Sequence, residues 1–393
     1  MNITNSIWKD QTSILLENKD LRAVVLPGLG GKIASLVKTG AGFEFAAQPS
    51  GAYTRPVYGS SFSEHDASGL DDGFPCLHPC TDHVSGWDYP DHGEIWSAEM
   101  DASIREDSVE LRYESPHFPY YYQKNVSISE NKLILKYHIA NISDKPFPCI
   151  WAFHGLMRYD EDMRILYPPD SGSILNTLDS PLLGPAGRRY LIARPSTVSS
   201  QMSGVSSQNK TSGAGDANLS GETACQKSKL FEDNALAQPS IASSRTSGVS
   251  SQNRTYSADD ANVLNEKACP KNKLFDDNTI AGAYDFSSPP AAMPPTMVKY
   301  YLAEPVKNGY CGFWYPRAGA GCLLRYDPAI LPYLGVWITA GGFRGDYNCA
   351  LEPSNGFYDD INTARQNGSL YILKPDLPLV FTLTLEIVDN IIV

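Results

Sequence analysis

The sequence has 393 residues, a formal net charge of −12 and a hydrophobic fraction of 42%. That length suffices for two average domains or one large β-rich domain, and the composition argues against global disorder. The negative charge, unrelieved by any local cluster of lysines or arginines, argues against nucleic acid and anionic membranes as partners. We therefore expect a neutral small molecule as the partner.

The chain carries no apolar run long enough to cross a bilayer. Its start, "MNITNSIWKDQTS", lacks the basic segment and apolar stretch of a secretory signal. We therefore expect a cytoplasmic protein whose eight cysteines are reduced thiols.

Strand patterns dominate the sequence from its beginning. "TSILLENKDLRAVVLPGLGGKIASLV" predicts three strands joined by a short turn and a Gly-Pro turn. The "GLGGK" at residues 28–32 fits neither a phosphate loop nor a dinucleotide turn, so we predict a turn with positive backbone angles. Apolar residues alternate with polar ones at 109–113, 133–139 and 381–387. Such alternation predicts an all-β protein, in which many antiparallel strands form a sandwich or barrel.

One region, residues 196–285, differs from the rest in composition. A Ser/Asn-rich segment beginning at Ser203 recurs, with changes, at Ser247. Two copies are too few for a solenoid, so we predict a duplicated loop inserted into a single domain that spans residues 1–393.

The stretch "CLHPCTDH" raises the possibility of a metal site. Its possible ligands are Cys76, His78, Cys80 and His83. Structural zinc sites usually use two separated ligand pairs, and no second pair stands out. We therefore predict no metal, while a metal-dependent β-barrel enzyme stays a distant alternative.

A single histidine, His154, lies in the apolar run "CIWAFHGLM". A buried imidazole costs free energy unless its nitrogens find partners. Such a histidine is either a core residue bonded to a carbonyl or a catalytic group, and the run alone does not separate the two.

Four stretches together resemble the aldose 1-epimerase (galactose mutarotase-like) family and cover nearly the whole chain apart from the duplicated loop. They are "VVLPGLGGKIASLV", "DHGEIWS", "YHIANISDKPFPCIWAFHGLM" and "LGVWITAGGFRGDYNCALEPSNGFYDDINTA". The resemblance implies a large antiparallel β-sandwich, the galactose mutarotase-like supersandwich, with its active site in the groove of one concave sheet. It also implies an isomerase that interconverts the anomers of an aldose.

The resemblance assigns roles to particular residues. It makes His154 the general acid, Glu352 the general base and His92 a second histidine that contacts the sugar. Asp72, in "SGLDDGFPCLHPC", is similar to a site residue of less-studied branches, and Arg55 is a candidate for binding hydroxyls outside the catalytic set.

Two further observations concern the sugar. Asn234 and Asn278 occupy the position where an aspartate is commonly expected, which leaves the substrate's identity open. Aromatic residues near the site could offer flat apolar faces to a pyranose. They are Trp96, Trp151, Trp337 and Phe343.

Exchange of anomers requires a base at the anomeric hydroxyl and an acid at the ring oxygen, with the roles reversed on closure. A histidine and a carboxylate suit these roles near neutral pH, and the reaction requires no cofactor. We therefore predict a mutarotase-type isomerase acting on a monosaccharide. The alternatives are a non-catalytic carbohydrate-binding or regulatory protein and an isomerase of phosphorylated hexoses, against which the acidic balance argues.

Overall fold

Two large sheets account for most of the strands, and a computed structural model describes residues 1–193 and 280–390. The strands, in chain order, are β1 (Asn2–Trp8), β2 (Gln11–Glu17), β3 (Leu21–Leu26), β4 (Lys32–Lys38), β5 (Phe43–Glu44), β6 (Leu70–Gly73), β7 (Cys80–Thr81), β8 (Asp88–Tyr89), β9 (Asp101–Ile104), β10 (Val109–Glu114), β11 (Tyr120–Ser129), β12 (Lys132–Asn141), β13 (Phe147–Cys149), β14 (Ala152–Gly155), β15 (Met157–Arg158), β16 (Arg164–Leu166), β17 (Ser173–Asn176), β18 (Arg189–Ile192), β19 (Ile280–Tyr284), β20 (Thr296–Leu302), β21 (Tyr310–Tyr315), β22 (Ala320–Arg325), β23 (Tyr333–Ala340), β24 (Tyr347–Ser354), β25 (Tyr371–Leu373) and β26 (Leu379–Val388). The described residues also contain a single α-helix, α1 (Ile361–Gln366), and short 3-10 turns at Pro27–Leu29, Phe62–Glu64, Ile95–Ser97 and Pro316–Ala318.

The larger sheet has fourteen strands, in the order β1-β2-β3-β4-β6-β14-β24-β23-β20-β17-β18-β19, with β5 paired to β4 and β15 to β24. The second sheet has eight strands, in the order β16-β21-β22-β26-β12-β11-β10-β9. Pairing is antiparallel throughout both large sheets except between β18 and β19. This architecture confirms the predicted all-β class.

Both sheets contribute to one apolar core between them. On β12 and β26, alternate side chains are buried as the sequence predicted, among them Leu135, Tyr137 and Leu383. Residues of the larger sheet, such as Val25 and Ile33, join the same core. Because side chains alternate across a strand, every second residue of the larger sheet is left for the opposite face.

The turn predicted at "GLGGK" is present. Gly30 and Gly31 have φ values of 65° and 68°. A Cβ on Gly30 would lie 2.2 Å from the carbonyl oxygen of Ile95, so a side chain there would collide with the backbone of a neighbouring turn. Glycine is thus required both for its backbone angle and for the close approach.

The duplicated segments, residues 203–234 and 247–278, lie outside the described residues. At the end of the predicted insertion, β19 pairs in parallel with β18. In the part of the chain that is described, no helix is long and apolar enough to span a membrane.

Candidate active site

The face of the larger sheet that points away from the second sheet carries a group of polar side chains. On β23 and β24, Ile338 and Leu351 point into the main core. Their neighbours along the strands point the other way, which places Trp337 and Glu352 beside a cleft together with Lys299 of β20. Strand alternation therefore separates an apolar face from one that carries ionisable side chains.

The cleft has a volume of about 310 Å³, at the small end of the range for ligand pockets. The strands supply its floor and the connecting loops its walls. The residues that border it are Phe62, Ser63, Ala67, Leu77, His78, Asp91, His92, His154, Leu156, Thr177, Leu178, Lys299, Trp337, Phe343, Asn348, Glu352, Tyr358 and Asp359. Three residues predicted for the site, His154, Glu352 and His92, are thus brought together.

The strand register explains how His154 meets Glu352. β14 pairs with β24 at Ala152 and Ser354, and β15 pairs with β24 further along in the same register. When that register is extended across the interval between the two pairings, His154 falls opposite Glu352. Residues opposite each other on adjacent strands carry their side chains on the same face of the sheet.

The imidazole of His154 is buried, with 6% of the residue exposed. It meets the rings of Phe62 and His92 edge to face, at centroid distances of 4.9 and 4.7 Å. Its Nδ1 has no hydrogen-bond partner among the described residues. Burial, together with the positive charges of His92, Lys299 and Lys32, lowers the pKa of His154 well below its ordinary value. The ring is therefore neutral near pH 7.

Glu352 is fully buried in the cleft floor. Its Oε2 accepts a hydrogen bond from Lys299 Nζ, while its Oε1 has no partner among the described residues. Burial raises the pKa of Glu352, and the neighbouring Lys299 opposes that rise. Gly335 lies opposite Glu352 on β23, and a Cβ there would come 2.9 Å from Oε2. The carboxylate thus depends on the absence of a side chain on the next strand.

Lys299 was not predicted from the sequence as a site residue. Its Nζ lies 3.7 Å from Asp359 Oδ1, which also accepts a hydrogen bond of 2.5 Å from the Tyr301 hydroxyl. Burial lowers the pKa of Lys299, but Asp359 and Glu352 outweigh that effect and raise the pKa above its ordinary value. Lys299 is therefore a cation held between two carboxylates at the edge of the cleft.

His92 occupies the loop that precedes the Ile95–Ser97 turn, with a φ of 57°. Its Nδ1 lies 2.7 Å from Asp91 Oδ1, and its ring stacks on Phe62 at 4.2 Å. Burial raises the pKa of Asp91, but the hydrogen bond and charge of His92 outweigh it and leave that pKa below its ordinary value. The carboxylate thereby fixes the orientation of the imidazole, as in other carboxylate–histidine pairs.

Asp72, in contrast, does not border the cleft, so its position gives the predicted substrate contact no support. The register pairs His154 with Asp71 and Phe153 with Asp72, which turns Asp72 toward the core between the sheets. There it accepts hydrogen bonds from Lys124 at 2.8 Å and from two tyrosine hydroxyls, Tyr122 and Tyr137, at 3.1 and 2.9 Å. A difference of one residue in strand position decides between the two faces.

The tryptophans divide in the same way. Trp151 is fully buried and donates a hydrogen bond of 3.1 Å to the Tyr122 hydroxyl, so it belongs to the core. Trp96 packs beneath the cleft against Phe62 and does not border it. Neither position supports the predicted contact of that tryptophan with a sugar. Trp337 and Phe343, in contrast, border the cleft.

The other candidates from the sequence are Arg55, the possible metal ligands and two asparagines of the duplicated loop. Arg55 is exposed and pairs with Glu99. Residues 1–193 and 280–390 contain no group of three or more His, Cys, Asp or Glu side chains that could hold a metal ion. In the stretch "CLHPCTDH", Cys76 Sγ donates a hydrogen bond of 3.2 Å to the carbonyl oxygen of Pro90. Asn234 and Asn278 lie outside the described residues.

Comparison with solved structures identifies the fold. A galactose mutarotase-like protein from Lactobacillus casei superposes with a TM-score of 0.56 at 14% identity, over 96% of this chain and 100% of that one. One from Clostridium acetobutylicum gives 0.55 at 14% identity, over 99% and 98%. A galactose mutarotase related enzyme from Lactobacillus acidophilus gives 0.54 at 11% identity, over 96% and 97%.

No protein-family model matches the sequence, and no curated protein matches it. At identities this low, the structural likeness establishes the fold and leaves the activity to be argued from the site. The resemblance predicted from the sequence is confirmed at that level: the chain has the galactose mutarotase-like fold.

Proposed function

We propose that this protein is a mutarotase-type isomerase that interconverts the anomers of a neutral aldose by acid–base ring opening. The observation that carries the proposal is the position of His154 and Glu352 in one cleft, each with a buried polar atom that finds no hydrogen-bond partner within residues 1–193 and 280–390. An unpartnered buried polar atom costs about 1–3 kcal/mol, which is tolerated where a ligand supplies the missing bond.

In this proposal Glu352 takes the proton from the anomeric hydroxyl through Oε1. His154 delivers a proton to the ring oxygen, and the two groups exchange roles when the ring closes on the other face. A lowered pKa makes the imidazolium of His154 a scarcer but stronger acid. His92, oriented by Asp91, binds a sugar hydroxyl. No step requires a cofactor.

The charges around the cleft support a neutral sugar as the substrate. Among the described residues that border the cleft, Lys299 is the one lysine or arginine, and it is engaged by Glu352 and Asp359. A phosphorylated hexose would meet carboxylates without a cation available to bind its phosphate. We also propose a cytoplasmic setting, supported by the six free cysteines of the described residues.

The test is polarimetry of freshly dissolved α-anomers from a panel of aldoses, with the uncatalysed rate subtracted. We expect acceleration by the native protein and a loss of about 10²- to 10⁴-fold in Glu352→Gln and in His154→Ala. Matched controls are Glu106→Gln and His83→Ala, since both positions are exposed and neither borders the cleft. Full activity in both site variants would refute the assignment of the pair.

A second function, sugar binding without turnover, is favoured by one specific observation. Glu352 has no exposed surface, so a substrate hydroxyl reaches Oε1 only if neighbouring side chains shift. Calorimetric binding of an aldose, combined with no rate enhancement across the panel, would establish this alternative in place of the isomerase.

A further inference from the structure

Lys299 makes contacts that a solvent-exposed strand lysine would not make. Its side chain is only 14% exposed, and its ammonium group reaches both Glu352 and Asp359. Burial of a charged lysine between two carboxylates costs desolvation free energy, so the position of Lys299 beside the cleft requires an explanation. A surface lysine in the same strand register would simply extend into water.

The two carboxylates belong to different structural elements. Glu352 belongs to β24, whereas Asp359 lies just before α1, and its carbonyl oxygen accepts backbone hydrogen bonds from Leu77 and His78 at 3.1 and 2.8 Å. The Tyr301 hydroxyl occupies Asp359 Oδ1. Lys299 therefore connects a residue of the sheet floor to a loop that forms the cleft wall.

We infer that Lys299 is a positioning residue that keeps Glu352 ionised and binds its Oε2, so that Oε1 is the oxygen left to receive a proton. This inference rests on the proposed function for its catalytic meaning, but its structural content can be measured without turnover. An adjacent ammonium favours the charged form of a buried carboxyl group, and a single hydrogen bond to one oxygen fixes which oxygen is free.

Other neighbouring groups also affect the pKa of Glu352, and their charges determine whether a substitution raises or lowers it. Lys299 and Tyr301 face it from β20, His154 from β14, and His92, Tyr358 and Asp359 from the surrounding loops. The negative charge of Asp359 raises the pKa of Glu352, while the charges of Lys299 and His92 lower it. Removal of Lys299 and removal of Asp359 should therefore shift the titration of Glu352 in opposite directions.

The experiment is a carboxyl ¹³C NMR titration of protein labelled at the glutamate side-chain carbonyl, with the Glu352 signal assigned from Glu352→Gln. We expect the Glu352 midpoint to rise in Lys299→Met, to fall in Asp359→Asn and to stay near the native value in Lys299→Arg. Lys136→Met, an exposed lysine on β12, is the matched control and should leave the midpoint unchanged. If Lys299→Met does not fold, Lys299→Gln, which keeps a polar side chain at this position, takes its place and should show the same rise.

Kinetics then separate a positioning role from a merely structural one. Lys299→Met should lose at least about tenfold in kcat/KM relative to the native protein at pH 7, and the ratio between the two proteins should narrow as the pH rises, because Glu352 regains its charge. A Glu352 midpoint that does not rise when Lys299 is replaced overturns the inference, even if the enzyme is active. A protein that accelerates no aldose but shows the opposed shifts overturns the proposed isomerase and retains the role of Lys299 in charging Glu352.

Discussion

Two buried lysine–carboxylate pairs lie on opposite faces of the larger sheet and differ in how completely they are satisfied. Between the sheets, Asp72 accepts hydrogen bonds from Lys124 and from two tyrosine hydroxyls, which together occupy both of its oxygens. Beside the cleft, the Glu352 carboxylate accepts a hydrogen bond from Lys299, and its other oxygen has no partner in the described part of the chain. A completed network specifies a core, whereas an incomplete one leaves a position for a ligand.

The comparison is tested most strongly by the Asp72→Asn substitution. It leaves Lys124 as an uncompensated buried charge, so we expect a loss of about 3–5 kcal/mol in the free energy of unfolding. The folded fraction should keep its sugar-dependent activity, because Asp72 does not border the cleft. Urea denaturation and polarimetry of the same samples measure the two effects.

The control for that substitution is Asp107→Asn, an exposed loop position. A loss of activity without a loss of stability in Asp72→Asn would return that residue to the site and invalidate the contrast between the two pairs.

A smaller change sharpens the comparison on the cleft side. Gly335→Ala adds a Cβ that would lie 2.9 Å from Glu352 Oε2 and 3.1 Å from the Tyr301 ring. We expect a loss of about tenfold in kcat/KM, since small displacements of a reacting group are costly. Gly282→Ala is the matched control, because its added Cβ meets nothing within 4 Å. Equal activity in the two variants would show that Glu352 does not depend on this space.

The pH profile gives the finest test. The reactive form requires Glu352 without a proton and His154 with one, so the rate should fall on both sides of an optimum. Burial raises the pKa of Glu352 and lowers that of His154 well below its ordinary value, so the proton required on His154 is lost at a lower pH than from a free histidine. On the alkaline side of the optimum, once both groups have lost their protons, kcat/KM should decline by about tenfold per pH unit. A rate that shows no alkaline decline would remove His154 from the acid role.

The fold could be predicted well from the sequence because apolar and polar residues alternate along individual strands, and this alternation can be recognised one strand at a time. In β12 and β26 every second residue is apolar, and burial follows that pattern. The convergence of His154, Glu352 and His92 on one cleft was expected from the resemblance, and their catalytic roles stay predictions.

What could not be predicted was which face each residue occupies. In "LDDG" nothing local distinguishes Asp71 from Asp72, because the choice is made by pairing with β14. Lys299 was missed since a lone lysine in a strand usually points to water. A signal was nevertheless present: Val298 and Tyr300 flank it as core residues, which places Lys299 on the opposite face of the same sheet.

The interval between the two pairings of β24 has a consequence for how easily the proposed activity could be lost. From Phe153 to Leu156 the ladder with β24 is not continuous, yet both ends keep one register. Insertion of a single residue between Ala152 and Phe153 would place Phe153 where His154 now lies and move His154 one position on, so that a benzene ring faced the cleft and an imidazole faced hydrocarbon. A change in spacing alone could thus remove the proposed acid from the cleft, although every residue of the candidate site would still be present in the sequence.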